Sequence, residues 1–176
     1  CRIDLDPYIE QQLESELSRL SARIESHQHC LMHRDLQSQN VMIFQDEPYL
    51  IDFQGMRFGS RFYDLGSLLC DPYVGFADNE RTDLLSFYYR LSQTEMDWGN
   101  FQRAFWDASV ERLLQALGCY GYLGLTKGLR AYLTHVPAGF RNLRLAAENA
   151  GDLPFLLEIC EKFDKAIRDL KFEIRD

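Results

Sequence analysis

One run of the chain, HRDLQSQNVMIFQDEPYLIDFQG from His33 to Gly55, constrains the fold more than any other. Its apolar pieces are short. CLMH, VMIF and YLIDF are each too brief for a helix, and the turn-like QDEP separates the last two. Apolar runs of this length bounded by turn residues predict short strands. The polar residues His33, Asp35, Asn40 and Asp52 then fall at strand ends and in a connecting loop. Reactive groups are commonly held on such loops by a rigid scaffold. The chain is therefore expected to carry a small β patch with a polar loop at its edge.

The rest reads as helix. From Pro7 to about Ser26, Ile9, Leu13, Leu17, Leu20 and Ile24 recur three or four apart, the period of an amphipathic helix. After Arg61, RFYDLGSLL predicts a short helix, and Asn79 to Ser92 one with Leu84, Leu85, Tyr88 and Leu91 on a single face. A long helix is expected over Phe101 to Leu117, which CYGYLGLTKG continues or kinks. VPAGFRNLRLAAE opens with Pro137 in a first turn, where proline is tolerated. The last helix, about Leu153 to Leu170, follows Gly151 and Asp152, a stop glycine and a cap acid. The expected class is α+β, mostly α, with helices around a small antiparallel β hairpin. A chain of 176 residues is read as a single domain. In it, 1–29 leads into the polar loop, 30–55 carries the strands and loop, and 56–176 is helical.

Composition narrows the function. A net charge of −8 argues against nucleic acid as a partner, because phosphate backbones need a basic surface. No apolar run approaches the roughly 20 residues of a membrane helix, and the charged N-terminus does not read as a signal peptide. The five cysteines, Cys1, Cys30, Cys70, Cys119 and Cys160, form no CxxC pair. They read as reduced thiols of a cytoplasmic protein, mostly small core residues.

The polar set suits metal-assisted phosphoryl transfer. That chemistry needs a carboxylate to orient the attacking hydroxyl or accept its proton, and oxygen ligands for Mg²⁺. Asp35, in a loop after a strand, suits the first role. Asn40 and Asp52, brought together by an antiparallel strand pair, suit the second, since Mg²⁺ prefers a few hard oxygens and completes its shell with phosphate and water.

HRDLQSQN resembles the HxDxxxxN catalytic loop of the protein-kinase-like superfamily, and IDFQG stands where its DFG or DxD metal motif stands. The resemblance implies ATP and Mg²⁺ as cofactors, Asp35 as catalytic base, Asn40 and Asp52 as metal and nucleotide ligands, and His33 as a structural prop. No A-P-E segment follows the metal motif. Instead, a helix with an Asp-Leu pair begins soon after it, as in the aminoglycoside phosphotransferase branch. By that resemblance Asp64 braces the catalytic loop, a place the helix N-terminus also favours. IDFQGMRFGSRFYDLGSLL is similar to the bacterial sugar kinases of that branch acting on N-acetylmuramate or N-acetylglucosamine. Gln54 stands where many relatives have a second Asp. The chain begins with Cys1, and its first lysine is Lys127. It therefore resembles the C-terminal lobe of such a kinase with the N-lobe absent, inactive alone and prone to self-associate through an uncovered apolar face.

Rival readings remain beside this one. His27, His29, Cys30 and His33 are zinc ligand types, although their spacing matches no common site. A degenerate kinase fold that binds nucleotide or a partner without transfer is the alternative from another class. The expected acceptor is a sugar, amino sugar or aminoglycoside. The acids between Asp71 and Asp83 offer attraction for a cationic one, and Tyr73, Phe76, Trp98, Phe101, Trp106 and Tyr120 a stacking wall. Each set is also ordinary as a solvated face or as core. Arg34, Arg57 and Arg61 are read as surface residues.

Overall fold

Several helix starts in this chain are set by side chains that accept backbone N–H groups. The computed structural model describes residues 5–173. Helix α1 spans Pro7–Glu25, with proline in its first turn and Asp6 accepting the Tyr8 amide at 2.8 Å. Strand β1 (His29–Met32) follows, then β2 (Val41–Phe44), β3 (Glu47–Leu50) and β4 (Arg57–Ser60). Ser60 caps α2 (Arg61–Leu69) by accepting the Phe62 amide at 3.3 Å. Helices α3 (Asp78–Ser92), α4 (Trp98–Gly121), α5 (Val136–Ala150) and α6 (Pro154–Glu173) complete the order. Asp97 caps α4 through the Asn100 amide at 3.0 Å. The class is α+β, mostly α, as expected.

The β patch differs in one respect from the hairpin predicted. β2 and β3 form that hairpin, Val41 opposite Leu50 and Phe44 opposite Glu47, turning on Gln45 and Asp46, both at positive φ. β4 was not legible as a strand and lies in the part read as helical. It pairs antiparallel with β1, His29 opposite Ser60 and Met32 opposite Arg57, as a second and separate two-stranded sheet. This pair anchors the start of the polar loop to the start of α2.

α4 is the central helix, with α1, α2 and α5 packed around it. Phe101, Phe105, Ala108 and Val110 of α4 are fully buried, joined by Phe62, Leu113, Leu143, Ala146 and Leu156. Each large apolar side chain so buried contributes about 1.5–3 kcal/mol. The face expected of α3 is corrected: Leu85 is buried, but Leu84 and Leu91 are exposed. The helix is rotated because Arg81 is buried, its Nε donating at 2.9 Å to the carbonyl of Leu69, the last residue of α2. The cap acid expected at Asp152 is likewise displaced. Glu16 of α1 accepts the Phe155 and Leu156 amides at 2.9 and 3.1 Å, and Asp152 pairs with Arg103. A buried carboxylate at a helix N-terminus meets unpaired amides and the positive end of the dipole.

Cys70 and Cys160 are core residues, Cys30 is partly buried and Cys119 exposed, all as free thiols. Cys1 lies outside the described residues. None of the helices among them is long and apolar enough to cross a membrane.

Candidate active site

The loop after β1 is held by carboxylates that accept its backbone amides. Asp64, in the first turn of α2, takes the His33 amide at 2.6 Å and the Arg34 amide at 2.8 Å. Asp71, just beyond α2, is buried and takes the Ser38 amide at 2.7 Å and the Tyr73 amide at 2.9 Å. Hydrogen bonds to an ionised acceptor are about twice as strong as neutral ones. The first brace is Asp64. The second, Asp71, was read among acids that either attract a cation or form a solvated face, and it accepts backbone amides instead.

This bracing fixes two residues in the left-handed region, Arg34 at φ 75° and Asp52 at φ 64°, ψ 37°. Such a conformation costs a side chain about 1 kcal/mol or more. Both are clamped at a neighbouring backbone group: the Arg34 amide by Asp64, and the carbonyl before Asp52 by His33, whose Nε2 donates to Ile51 O at 2.9 Å. His33 is buried, and its Nδ1 has no partner. It ties the two motifs together as a packed, hydrogen-bonded prop.

The hairpin carries the rest. The Ile51 amide donates to Asn40 O at 3.0 Å, extending the β2–β3 ladder until Asn40 lies across from the residue before Asp52. Asn40 is buried and donates its Nδ2 to Asp35 O at 2.8 Å and to Asp35 Oδ2 at 3.2 Å. With the amide nitrogen so engaged, its oxygen is the atom left to offer a cation. Asp52 accepts a hydrogen bond from Gln54 through Oδ1, and its other carboxylate oxygen is a second hard donor. This donor set, one amide oxygen and one carboxylate, fits Mg²⁺ completed by phosphate and water.

Asp35 and Asp52 line one cavity of about 450 Å³. Its walls add Arg34, Gln37, Gln39, Tyr73, Arg112, Gln115, Tyr120 and Tyr132. α4 ends in a π turn, Tyr122–Thr126, and a 3₁₀ turn, Arg130–His135, follows, so that Leu123 and Tyr132 reach the same wall. Tyr120 stacks near Tyr132 with ring centres 6.3 Å apart and stands edge-on to Tyr73 at 6.3 Å. Burial first, then contact with Tyr73, pushes the Tyr120 phenol well above its ordinary range, so it stays a neutral donor. Of the six aromatics read as a stacking wall, Tyr73 and Tyr120 face this cavity. Phe101 is core, and Trp98 and Trp106 pack against it. The acids after Asp71 do not line it, and Asp78 pairs with Arg81.

Arg112 was missed, and no local signal marked it. It lies on α4 and reaches Asp35 Oδ1 with Nη2 at 3.0 Å. The zinc alternative has no geometry behind it: among the described residues no three metal-ligating side chains converge, His27 packs on Phe62 and His29 sits by Glu25.

Comparison with known proteins falls on the same residues. The model of the APH phosphotransferase enzyme family matches residues 2–102, more than half of the chain and all of the loop, hairpin and α2. The chain is similar to N-acetylmuramate/N-acetylglucosamine kinases of Neisseria meningitidis (27% identity over 127 residues, 69% of this chain and 38% of that one) and Pseudomonas aeruginosa (27% over 133, 73% and 39%). The kinase of the same description from Pseudomonas putida is 28% identical over 136 residues, 74% of this chain and 39% of that one. The chain thus spans about two fifths of the length of the curated relatives it matches. With the family match running through both motifs and both braces of the loop, the chain belongs to the APH phosphotransferase enzyme family.

Proposed function

We propose that this chain is the catalytic and acceptor-binding lobe of an ATP-dependent small-molecule kinase that phosphorylates a hydroxyl of a neutral or anionic amino sugar. One observation carries the reading: Asp35 and Asp52 face one cavity while Asn40 is hydrogen-bonded to Asp35 from behind. On this reading Asp35 orients the acceptor hydroxyl and takes its proton as that oxygen bonds to the γ-phosphorus. The bond from the γ-phosphorus to the bridging oxygen breaks, and ADP leaves with the electron pair. Mg²⁺, held by Asn40 and Asp52, would neutralise charge on the phosphates. Gln54 keeps Asp52 in its clamped orientation. The nucleotide's remaining contacts are assigned to parts of the full-length protein outside this chain, which alone is expected to be inactive.

The choice of acceptor rests on the wall chemistry and the relatives. Three tyrosines, four glutamines and two arginines surround the acidic pair. Amides and phenols hydrogen-bond sugar hydroxyls and N-acetyl groups, and ring faces stack on a pyranose. A polycationic aminoglycoside would find no surplus acid there. The printed names of the relatives, kinases of N-acetylmuramate and N-acetylglucosamine, point the same way.

Phosphate transfer by the full-length protein with Mg²⁺·ATP tests this, using N-acetylmuramate, N-acetylglucosamine, an aminoglycoside and choline as acceptors. Expected is transfer to the N-acetylated sugars, reduced by about 10²–10⁴-fold in Asp35→Ala, with nucleotide affinity nearly unchanged. Equal turnover in Asp35→Ala would remove the base assignment. ATP binding without transfer to any acceptor would favour the degenerate binding module.

A further inference from the structure

The Asp35 side chain is 44% accessible, yet both of its carboxylate oxygens are held. On one side Asn40 Nδ2 donates to Oδ2 at 3.2 Å, with Gln37 Nε2 at 3.4 Å. On the other, Arg112 Nη2 donates to Oδ1 at 3.0 Å. The Arg112 side chain is only 12% accessible, and it has a second anchor, Nε donating to Ser67 Oγ at 2.9 Å.

That double anchoring is built by helix packing. α2 and α4 approach closely at Gly66 and Ser109, where a Cβ on Gly66 would stand 2.9 Å from the Ser109 Cα. Only glycine permits this approach. Ser67 is the next residue on α2, and Arg112 lies one turn beyond Ser109 on α4, so their side chains meet across the seam. The buried Ser67 fixes the near end of the guanidinium, and the far end emerges into the cavity at Asp35. The family match ends at residue 102, ahead of Arg112.

We propose that Arg112 is a positioning residue for phosphoryl transfer, resting on the kinase reading above: it fixes the Asp35 carboxylate so that a lone pair meets the acceptor hydroxyl. Arginine suits this place chemically. Its planar fork bonds Ser67 and Asp35 at once, whereas an ammonium is a point charge without that geometry. It does not give up a proton in proteins, so the proton leaving the acceptor goes to Asp35 and is not shared with its neighbour. Its charge also offsets that of Asp35 in a cavity that must admit a polyphosphate.

The test uses the full-length protein with the acceptor that wild type phosphorylates, and the variants Arg112→Met, Arg112→Lys, Ser67→Ala, Asp35→Ala and the double variant Asp35→Ala/Arg112→Met. Misplaced reacting groups typically cost about 100-fold. Arg112→Met is therefore expected to lower kcat by about that factor, with acceptor KM and nucleotide Kd within about twofold. Arg112→Lys should recover only a small part of kcat, and Ser67→Ala should fall between wild type and Arg112→Lys. Residues acting as one unit are not additive, so the double variant should be no slower than Asp35→Ala. Unchanged kcat in Arg112→Met, full activity in Arg112→Lys, or additive losses in the double variant would each overturn the role. A loss confined to KM would reassign Arg112 to acceptor binding. Should Arg112→Met fail to fold, Ser67→Ala decides alone, and unchanged kcat there overturns the proposal. Absence of transfer by wild type to every acceptor overturns the kinase reading and this role together, whereas wild-type turnover with an unaffected Arg112→Met overturns this role only.

Discussion

The edge that carries the candidate site, from β1 to Tyr73, and the helical body behind it are held together by different forces. In the body, Phe101, Phe105, Val110, Leu113 and Leu143 are buried to within 1% of full, and apolar burial does the stabilising. At the edge, the hairpin leaves Ile43 65% and Phe44 61% exposed, and β4 leaves Phe58 74% exposed. Order there comes from directional contacts: Asp64 and Asp71 on four backbone amides, His33 on the Ile51 carbonyl, Asn40 and Arg112 on Asp35. Apolar burial is strong but non-directional, whereas a hydrogen bond fixes angle as well as distance. The body supplies stability and the edge supplies aim.

This division predicts that stability and activity separate under mutation. The largest effect on folding belongs to the body: Phe105→Ala, deleting a fully buried ring, should cost about 3–5 kcal/mol by denaturant unfolding. Asp64→Ala strands two amides that the loop cannot otherwise pair, and should cost about 1–3 kcal/mol. Its turnover in the full-length protein should nevertheless fall about 100-fold, because Arg34 and His33 lose the clamp that fixes Asp35. If Asp64→Ala unfolded the protein as readily as Phe105→Ala, or left turnover intact, the contrast between the two regions would break.

The same contrast explains what the sequence made legible. Residues that act locally were readable: the period of α1, the short helix α2, the turn of the hairpin, and the HxDxxxxN spacing that sets Asn40 behind Asp35. Features that depend on a distant partner were not. β4 reads RFGS, with no alternation to mark a strand, and it exists because His29–Met32 lies alongside. Asp71 looked like a surface acid until Ser38 and Tyr73 turned their amides to it. On α3 the apolar residues read as one face, but Arg81 is buried against the Leu69 carbonyl and Leu84 and Leu91 stay exposed. Arg112 is separated from Asp35 by most of the fold, and only the Gly66–Ser109 approach brings it there.

Thiol chemistry sharpens the comparison at smaller scale. Cys70 lies at the junction of the two regions, and burial pushes its thiol up to about 11. Since the thiolate is the reactive form, Cys70 should resist alkylation near neutral pH until the fold opens. Cys119 is exposed on the wall of the cavity at Asp35. A bulky maleimide should modify it within the native state and raise acceptor KM, with nucleotide affinity retained. Cys119→Ser should abolish that sensitivity. Rapid labelling of Cys70 in the native protein would mean that the junction is far looser than its packing indicates.

The smallest effect on folding is expected where the edge is barest. Alternating burial is the signature of a half-buried strand, yet β3 is exposed at every residue and β2 at all but Val41. Both faces of the hairpin are thus uncovered by the described residues, and with Phe53, Met56 and Phe58 they present a run of apolar surface. A surface of this kind has more to gain from association than from its own fold. The chain alone should therefore self-associate with rising concentration in sedimentation velocity. Ile43→Lys and Phe58→Lys should shift it toward monomer while changing unfolding free energy by no more than about 0.5 kcal/mol. A chain that stays monomeric at high concentration would show that the hairpin is shielded in solution. A large loss of stability in Ile43→Lys would show that burial, after all, helps to hold the edge.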